Sequence, residues 1–215
     1  MTLDLPTLLS LLREEYDVNS WWPRSSPFEV VLGAFLTQQT RWENVLTVLD
    51  SLREEGLLDV DSLAEIDLPT LEELVRPAGF YRQKAGRIRH FARYLRQNHD
   101  GEMESLLAGD LASCREELLS LPGIGPETAD SILLFAGGKP VFVAASYCLR
   151  TLGRLGISDA DDYETLRQEV EAELGPDAEA LGDLYALLVE LAKDRCRPRP
   201  LCDGCLLEQR CQIRT

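Results

Sequence analysis

Apolar residues recur three and four positions apart along almost the whole chain, as in Leu5, Leu8, Leu9 and Leu12, and again in Leu184, Leu187, Leu188 and Leu191. That spacing gives each segment one apolar helical stripe, and no segment shows the sustained alternation of a half-buried strand. The chain is therefore expected to be all-α. Helix starts are marked as well: Ser26 stands before Pro27, Asp67 before Pro69, Asp161 three residues before Glu164, and Gly125 before Pro126. Short oxygen-bearing side chains accept from first-turn amides, and proline fits the first turn because its missing N–H has no helical partner there. Gly56, Gly79, Gly101, Gly137, Gly138 and Gly175 punctuate the ends. About ten helices of ordinary length follow, without internal repeats or a long linker.

With 215 residues, 45% of them hydrophobic, the chain can bury the core of one large or two small domains. Lys and Arg number 22 against 37 Asp and Glu, a formal charge of -15, which argues against nucleic-acid binding through overall charge. The distribution is uneven. Pro77 to His99 holds six basic side chains (Arg82, Lys84, Arg87, Arg89, Arg93, Arg96) and no acid, whereas Ile157 to Glu190 holds eleven acids and only Arg167. No apolar run approaches the ~18 residues of a membrane span, and the first residues lack a signal-peptide pattern. A cytoplasmic protein is expected, nucleoid-associated if bacterial, with no membrane partner.

Four of the six cysteines, Cys196, Cys202, Cys205 and Cys211, are spaced C-x5-C-x2-C-x5-C. In a reducing compartment such a cluster suits an inorganic centre better than a disulfide framework. Spacing alone leaves tetrahedral zinc and a [4Fe-4S] cluster both open. The intervening Arg197-Pro198-Arg199-Pro200-Leu201 is stiffened by proline and offers Arg197 and Arg199 to phosphate. Cys114 and Cys148 lie on helical patterns and are expected to be small core residues.

The segment Leu121 to Asp130, LPGIGPETAD, joins two helical patterns. Its glycines let the backbone come close to a ligand, and the following helix presents amide donors and its positive dipole end to an anion. An ordinary tight connection between helices would look similar. If the segment is a phosphate cradle, Gly123, Ile124, Gly125 and Thr128 are its contacts.

Together with Pro140 to Arg150 (PVFVAASYCLR) and the cysteine tail, in that order, LPGIGPETAD resembles the endonuclease III superfamily of helix-hairpin-helix DNA glycosylases. Leu36-Thr37-Gln38-Gln39-Thr40 and Gly79 to Ala85 are similar to further segments of that family, so the resemblance runs from about Ser26 to Cys211. It implies two all-α lobes: a six-helix barrel with the helix-hairpin-helix over residues 25–136, and an iron-sulfur cluster lobe of residues 1–24 plus 137–215. It also implies a [4Fe-4S] cluster on the four cysteines. A monomer acting on double-stranded DNA with a damaged or mismatched base is expected. Gln39 matches a glutamine that reaches into the duplex, with Gln38 beside it. Arg82, Lys84, Arg197 and Arg199 are the phosphate-contact candidates. Arg150 matches a motif position that either touches phosphate or braces its lobe.

Two positions bear on the chemistry. Glu127 stands where strand-nicking relatives carry a lysine that attacks the sugar C1′, and a carboxylate cannot form that Schiff base. Ala145 stands where the family has an aspartate that activates water or stabilises the cationic sugar, and Tyr147 where bifunctional members often have histidine. The resemblance thus implies a monofunctional DNA N-glycosylase without lyase activity. Glu127 would be its relocated carboxylate, or its target a base with an already weakened glycosidic bond. The alternative is a catalytically impaired protein that binds damaged DNA. With four thiolates and a cluster core of charge 2+, the net charge would be about -17, leaving DNA to meet a basic helix, a basic cysteine loop and a nearly uncharged hairpin.

Overall fold

Asp4 accepts a hydrogen bond from the Thr7 amide and so starts the first helix; six further helices begin on an Asp or Ser side chain in the same way. The computed structural model describes residues 3–19, 21–22 and 26–212. Among these there are twelve α-helices and no strand. They are α1 (Leu5–Glu15), α2 (Pro27–Leu36), α3 (Trp42–Glu54), α4 (Val60–Glu65), α5 (Leu68–Val75), α6 (Tyr81–Asn98), α7 (Met103–Leu106), α8 (Leu111–Leu119), α9 (Pro126–Phe135), α10 (Ser146–Leu155), α11 (Tyr163–Leu174) and α12 (Ala178–Asp194). Short 3-10 turns cover Arg76–Ala78 and Glu208–Arg210. Helix α11 is capped by Asp162, not by the Asp161 expected from sequence: Asp162 takes both the amide and the hydroxyl of Thr165.

The chain divides into two compact units, residues 22–137 and residues 1–21 with 138–215. The lobe boundary expected between residues 24 and 25 lies outside the described residues. In the 22–137 unit, every residue of α2 from Phe28 to Leu36 is buried, and the helix packs against α3, α6 and α9. Phe28 and Phe35 meet Phe91 of α6. Trp22 stacks on Phe135 at 5.1 Å and meets Trp42 edge-on, so both tryptophans pack within this unit. Burying a large apolar side chain contributes about 1.5–3 kcal/mol, which makes this cluster a principal source of the unit's stability.

In the other unit, α12 is the hub against which α1, α10 and α11 pack. Leu181, Leu184, Leu187, Leu188 and Leu191 form its buried stripe. Trp21 belongs here: its indole N–H donates to Glu190 and its ring meets Tyr185 edge-on. Residues 141–145 are buried and lead into the start of α10, with the Phe142 amide donating to Glu171. Cys114 and Cys148 are buried core residues of their respective units.

Candidate functional site

The connection between α8 and α9 is shaped by two glycines with different jobs. Gly123 has φ 83°, the left-handed region, and a Cβ built on it would overlap the Arg87 side chain. Gly125 has φ -98°, which any residue adopts, and a Cβ there would meet nothing within 4 Å. Packing and backbone therefore demand glycine at Gly123 but not at Gly125. Gly125 is also the N-cap of α9, which has no side-chain cap and Pro126 in its first turn. Open space in front of an uncapped helix start suits a ligand that approaches the main chain closely and carries negative charge.

Gln38 clamps this connection from the turn after α2. Its amide nitrogen donates to the Gly123 carbonyl and the Thr128 hydroxyl, both at 3.1 Å, while its amide oxygen accepts from Arg87 at 2.8 Å. In this structure the polar atoms of Gln38, expected to contact DNA, bind protein. Ile124 and Thr128 are buried too, so at these positions only the main chain can serve as contact. Gln39, by contrast, has φ 55° and an exposed side chain. One residue's change of backbone region thus separates a clamp from an outward-pointing amide.

The basic helix α6 is not the phosphate-binding strip its composition suggested. Lys84 is only 2% exposed, and its ammonium donates to the carbonyls of Leu36 at 2.9 Å and Ala78 at 2.7 Å. Desolvation, with a smaller push from Arg87, lowers its pKa to about 8. A phosphate cannot reach it, and the predicted Lys84 contact is withdrawn. Arg89 and Arg93 donate to the Ile66 and Ala64 carbonyls near the end of α4, and Arg96 pairs with Glu65. Arg89 and Arg93 thereby satisfy carbonyls left open at a helix C-terminus, where positive charge is favoured. Arg82 differs: its side chain is 76% exposed and its nearest carboxylate, on Glu72, lies 3.8 Å away.

Phe80 was not among the candidate site residues read from the sequence. It is left-handed (φ 46°) and 61% exposed, an unusual place for a large aromatic. Lys84 ties the carbonyl of Leu36, two residues before Gln38, to that of Ala78, two residues before Phe80. The turns that carry Gln39 and Phe80 are thereby held by one buried cation. The signal in the sequence was a large apolar residue directly after Gly79.

Glu127 lies in the first turn of α9 and its side chain reaches the surface. Protein around the carboxyl displaces enough water to raise its pKa above the usual value, against the lowering influence of the helix start. Asp130 is fully buried in a two-pronged pair with Arg115 that ties α8 to α9, so it is not available for chemistry. In the other unit, Ala145 is 1% exposed and is the N-cap of α10, where its methyl caps nothing. Tyr147 is exposed under the Arg150 guanidinium, 5.5 Å from its ring centre. Arg150 donates to the Cys196 carbonyl at 3.0 Å, which makes it a brace of the cysteine loop.

Cys196, Cys202, Cys205 and Cys211 line one cavity, together with Arg154 and Thr151 of α10. Arg154 holds its wall by donating to the carbonyls of Arg197 at 2.6 Å and Pro198 at 3.0 Å. Burial raises the Cys205 thiol pKa. Among the described residues, no three candidate ligand side chains already converge on one ion. The donor set itself, four thiols on one cavity, fits a cluster held by four cysteines. Thr151 adds a second sign of fit: its hydroxyl is the one buried side-chain polar atom without a hydrogen-bond partner among the described residues, and it lines this cavity. Arg197 is exposed and donates to the Lys193 carbonyl, and Arg199 is exposed beside it.

The family profile described as HhH-GPD superfamily base excision DNA repair protein matches residues 32–176. A Methanocaldococcus jannaschii protein, provisionally named a DNA repair glycosylase, is 38% identical over 95% of this chain and 94% of its own. The chain belongs to the HhH-GPD superfamily of base excision DNA repair proteins. Endonuclease III of Thermotoga maritima is 32% identical over 88% of this HhH-GPD chain and 84% of its own. The H. pylori 3-methyladenine DNA glycosylase, solved with 1,N6-ethenoadenine, superimposes with a TM-score of 0.79 at 30% identity, covering 89% of this chain and 98% of that one. The matched region of this HhH-GPD protein contains the Gln39 turn, Phe80, the glycine connection, Glu127 and Ala145, and ends before the four tail cysteines.

Proposed function

We propose that this HhH-GPD protein is a monofunctional DNA N-glycosylase that acts as a monomer on double-stranded DNA and releases alkylated, cationic purines without cutting the strand. The observation that carries the reading is Glu127, an acid of raised pKa in the first turn of α9 where a Schiff-base lysine would have to stand. The chain has three lysines, Lys84, Lys139 and Lys193. Lys84 is buried on two carbonyls and Lys193 pairs with Glu190. The similarity to the 3-methyladenine enzyme supports the choice of substrate.

In this mechanism the uncapped start of α9 and the Gly125 main chain receive a backbone phosphate, with Arg82 adding charge from the surface. Extruding the target nucleotide forfeits a few kcal/mol of stacking and pairing. The exposed Phe80 ring and the Gln39 amide offset this by stacking in the gap and hydrogen-bonding the orphaned partner base. The C1′–N bond then breaks with its electron pair leaving on the base, which neutralises the cationic purine. A water oxygen bonds to C1′ and its proton passes to the Glu127 carboxylate. A cationic base leaves easily, so the charge stabilisation that Ala145 cannot supply is needed least there. The barrel lobe with the hairpin is taken as residues 25–136, within the unit that holds α2 to α9, and the cluster lobe as residues 1–24 plus 137–215. There Cys196, Cys202, Cys205 and Cys211 would hold the [4Fe-4S] cluster, which when bound supplies a cross-link to a loop with little core of its own.

The buried methyl of Ala145 favours a second reading, a protein that binds damaged DNA without excision. Duplexes carrying alkylated purines, oxidised pyrimidines, uracil or adenine mismatches separate the two. Release of alkylated purine by the wild-type protein supports the enzyme. No release from any duplex, with damage binding retained and excision appearing only in Ala145→Asp, would establish the binder.

A further inference from the structure

We infer that the Thr151 hydroxyl is a hydrogen-bond donor to a sulfur of the iron-sulfur cluster and raises its reduction potential, an inference that rests on the cluster assignment above. Thr151 sits on α10 and is 1% exposed, inside the cavity lined by all four tail cysteines. Elsewhere on that lining, Leu155, Leu191 and Leu207 are apolar, and valine would fill the same volume without burying an oxygen. A buried hydroxyl left unpaired destabilises the fold, and helical threonines usually avoid this by donating to a carbonyl one turn back. Thr151 makes no such bond, although it is the only buried side-chain oxygen or nitrogen among the described residues in that state. One cysteine sulfur already receives a donor: Arg154 donates to the Cys196 sulfur at 3.4 Å.

A thiolate or sulfide is an acceptor, and in the cluster-loaded protein it is the acceptor chemistry this cavity offers the hydroxyl. A hydrogen bond to sulfur stabilises the form carrying the extra electron, because negative charge on the sulfurs grows on reduction. Hydrogen bonds to the sulfurs are among the factors that set cluster potentials. Thr151 is therefore a tuning residue, distinct from the four ligands.

The test uses the purified protein, its Thr151→Val variant and its Thr151→Ser variant. Iron and sulfide content, protein-film voltammetry and resonance Raman spectra in H2O and D2O are measured for each. Thr151→Val is expected to retain iron and sulfide, shift the potential to more negative values and lose part of the D2O-induced shift of the Fe–S stretching bands. Thr151→Ser, which keeps the donor, is expected to stay near the wild-type potential. Equal potentials and equal isotope shifts in wild type and Thr151→Val would overturn the inference and leave the cluster assignment standing. Wild-type protein that holds zinc and neither iron nor sulfide would overturn both.

Discussion

Two glycines two residues apart are expected to respond oppositely to the same change. At Gly123, alanine must adopt φ 83° and displace Arg87, which also holds the Gln38 amide. A non-glycine residue in the left-handed region costs about 1–2 kcal/mol, so Gly123→Ala should lower stability by at least that. At Gly125, φ -98° is ordinary and a methyl enters open space. Restricting the unfolded chain contributes about 0.4–1 kcal/mol, and losing glycine at a helix N-cap costs a similar amount. Gly125→Ala should therefore unfold within about 0.5 kcal/mol of wild type. Its methyl, however, stands where a phosphate would approach the main chain. Losing a hydrogen bond to a charged group costs about 1.5–3 kcal/mol, or roughly ten- to hundredfold in affinity for duplex DNA. Urea denaturation and fluorescence anisotropy on the same preparations read the two effects. A stable Gly125→Ala that binds duplex like wild type would refute the cradle at α9, and a fully stable Gly123→Ala would refute the account of the turn.

If Glu127 accepts the proton from water, Glu127→Gln should slow excision about 10^2- to 10^4-fold. The base must be ionised, so wild-type activity should fall as pH drops through a midpoint above the usual glutamate value, and pH–rate profiles of the variant should lack that limb. Arg82→Ala should reduce the salt slope of DNA binding by about one unit, whereas Arg93→Ala, whose guanidinium caps Ala64, should leave the slope alone and cost about 1–3 kcal/mol in denaturant. Lys84 has a folded pKa of about 8, below its ordinary 10.5, so the unfolded chain binds the extra proton between those values. Stability relative to Lys84→Met should then rise as pH increases from about 8 toward 10.5, and a flat difference in melting temperature would contradict the buried ammonium.

The helices were legible because each buries a stripe of 3.6-residue period and because Asp and Ser caps announce their starts. The hairpin and the cysteine set were legible because glycine spacing and thiol spacing are local. The fate of α6's cations was not, since their acceptors, Leu36, Ala64 and Ile66, are distant in sequence and are main-chain carbonyls that no side-chain pattern advertises. Gln38 and Gln39 look alike in sequence and diverge only through the left-handed backbone at Gln39. Phe80 was hidden for the same reason: exposure of a large aromatic is a property of the turn that Gly79 and Lys84 build, not of the residue type.

The central claim is base excision without strand scission. A duplex carrying one 3-methyladenine, end-labelled and incubated with the protein in the presence of borohydride, tests it most directly. Free base should be released while the strand stays intact until alkali is added, and no protein–DNA adduct should be trapped. Strand cleavage before alkali, together with a borohydride-trapped covalent complex, would contradict it.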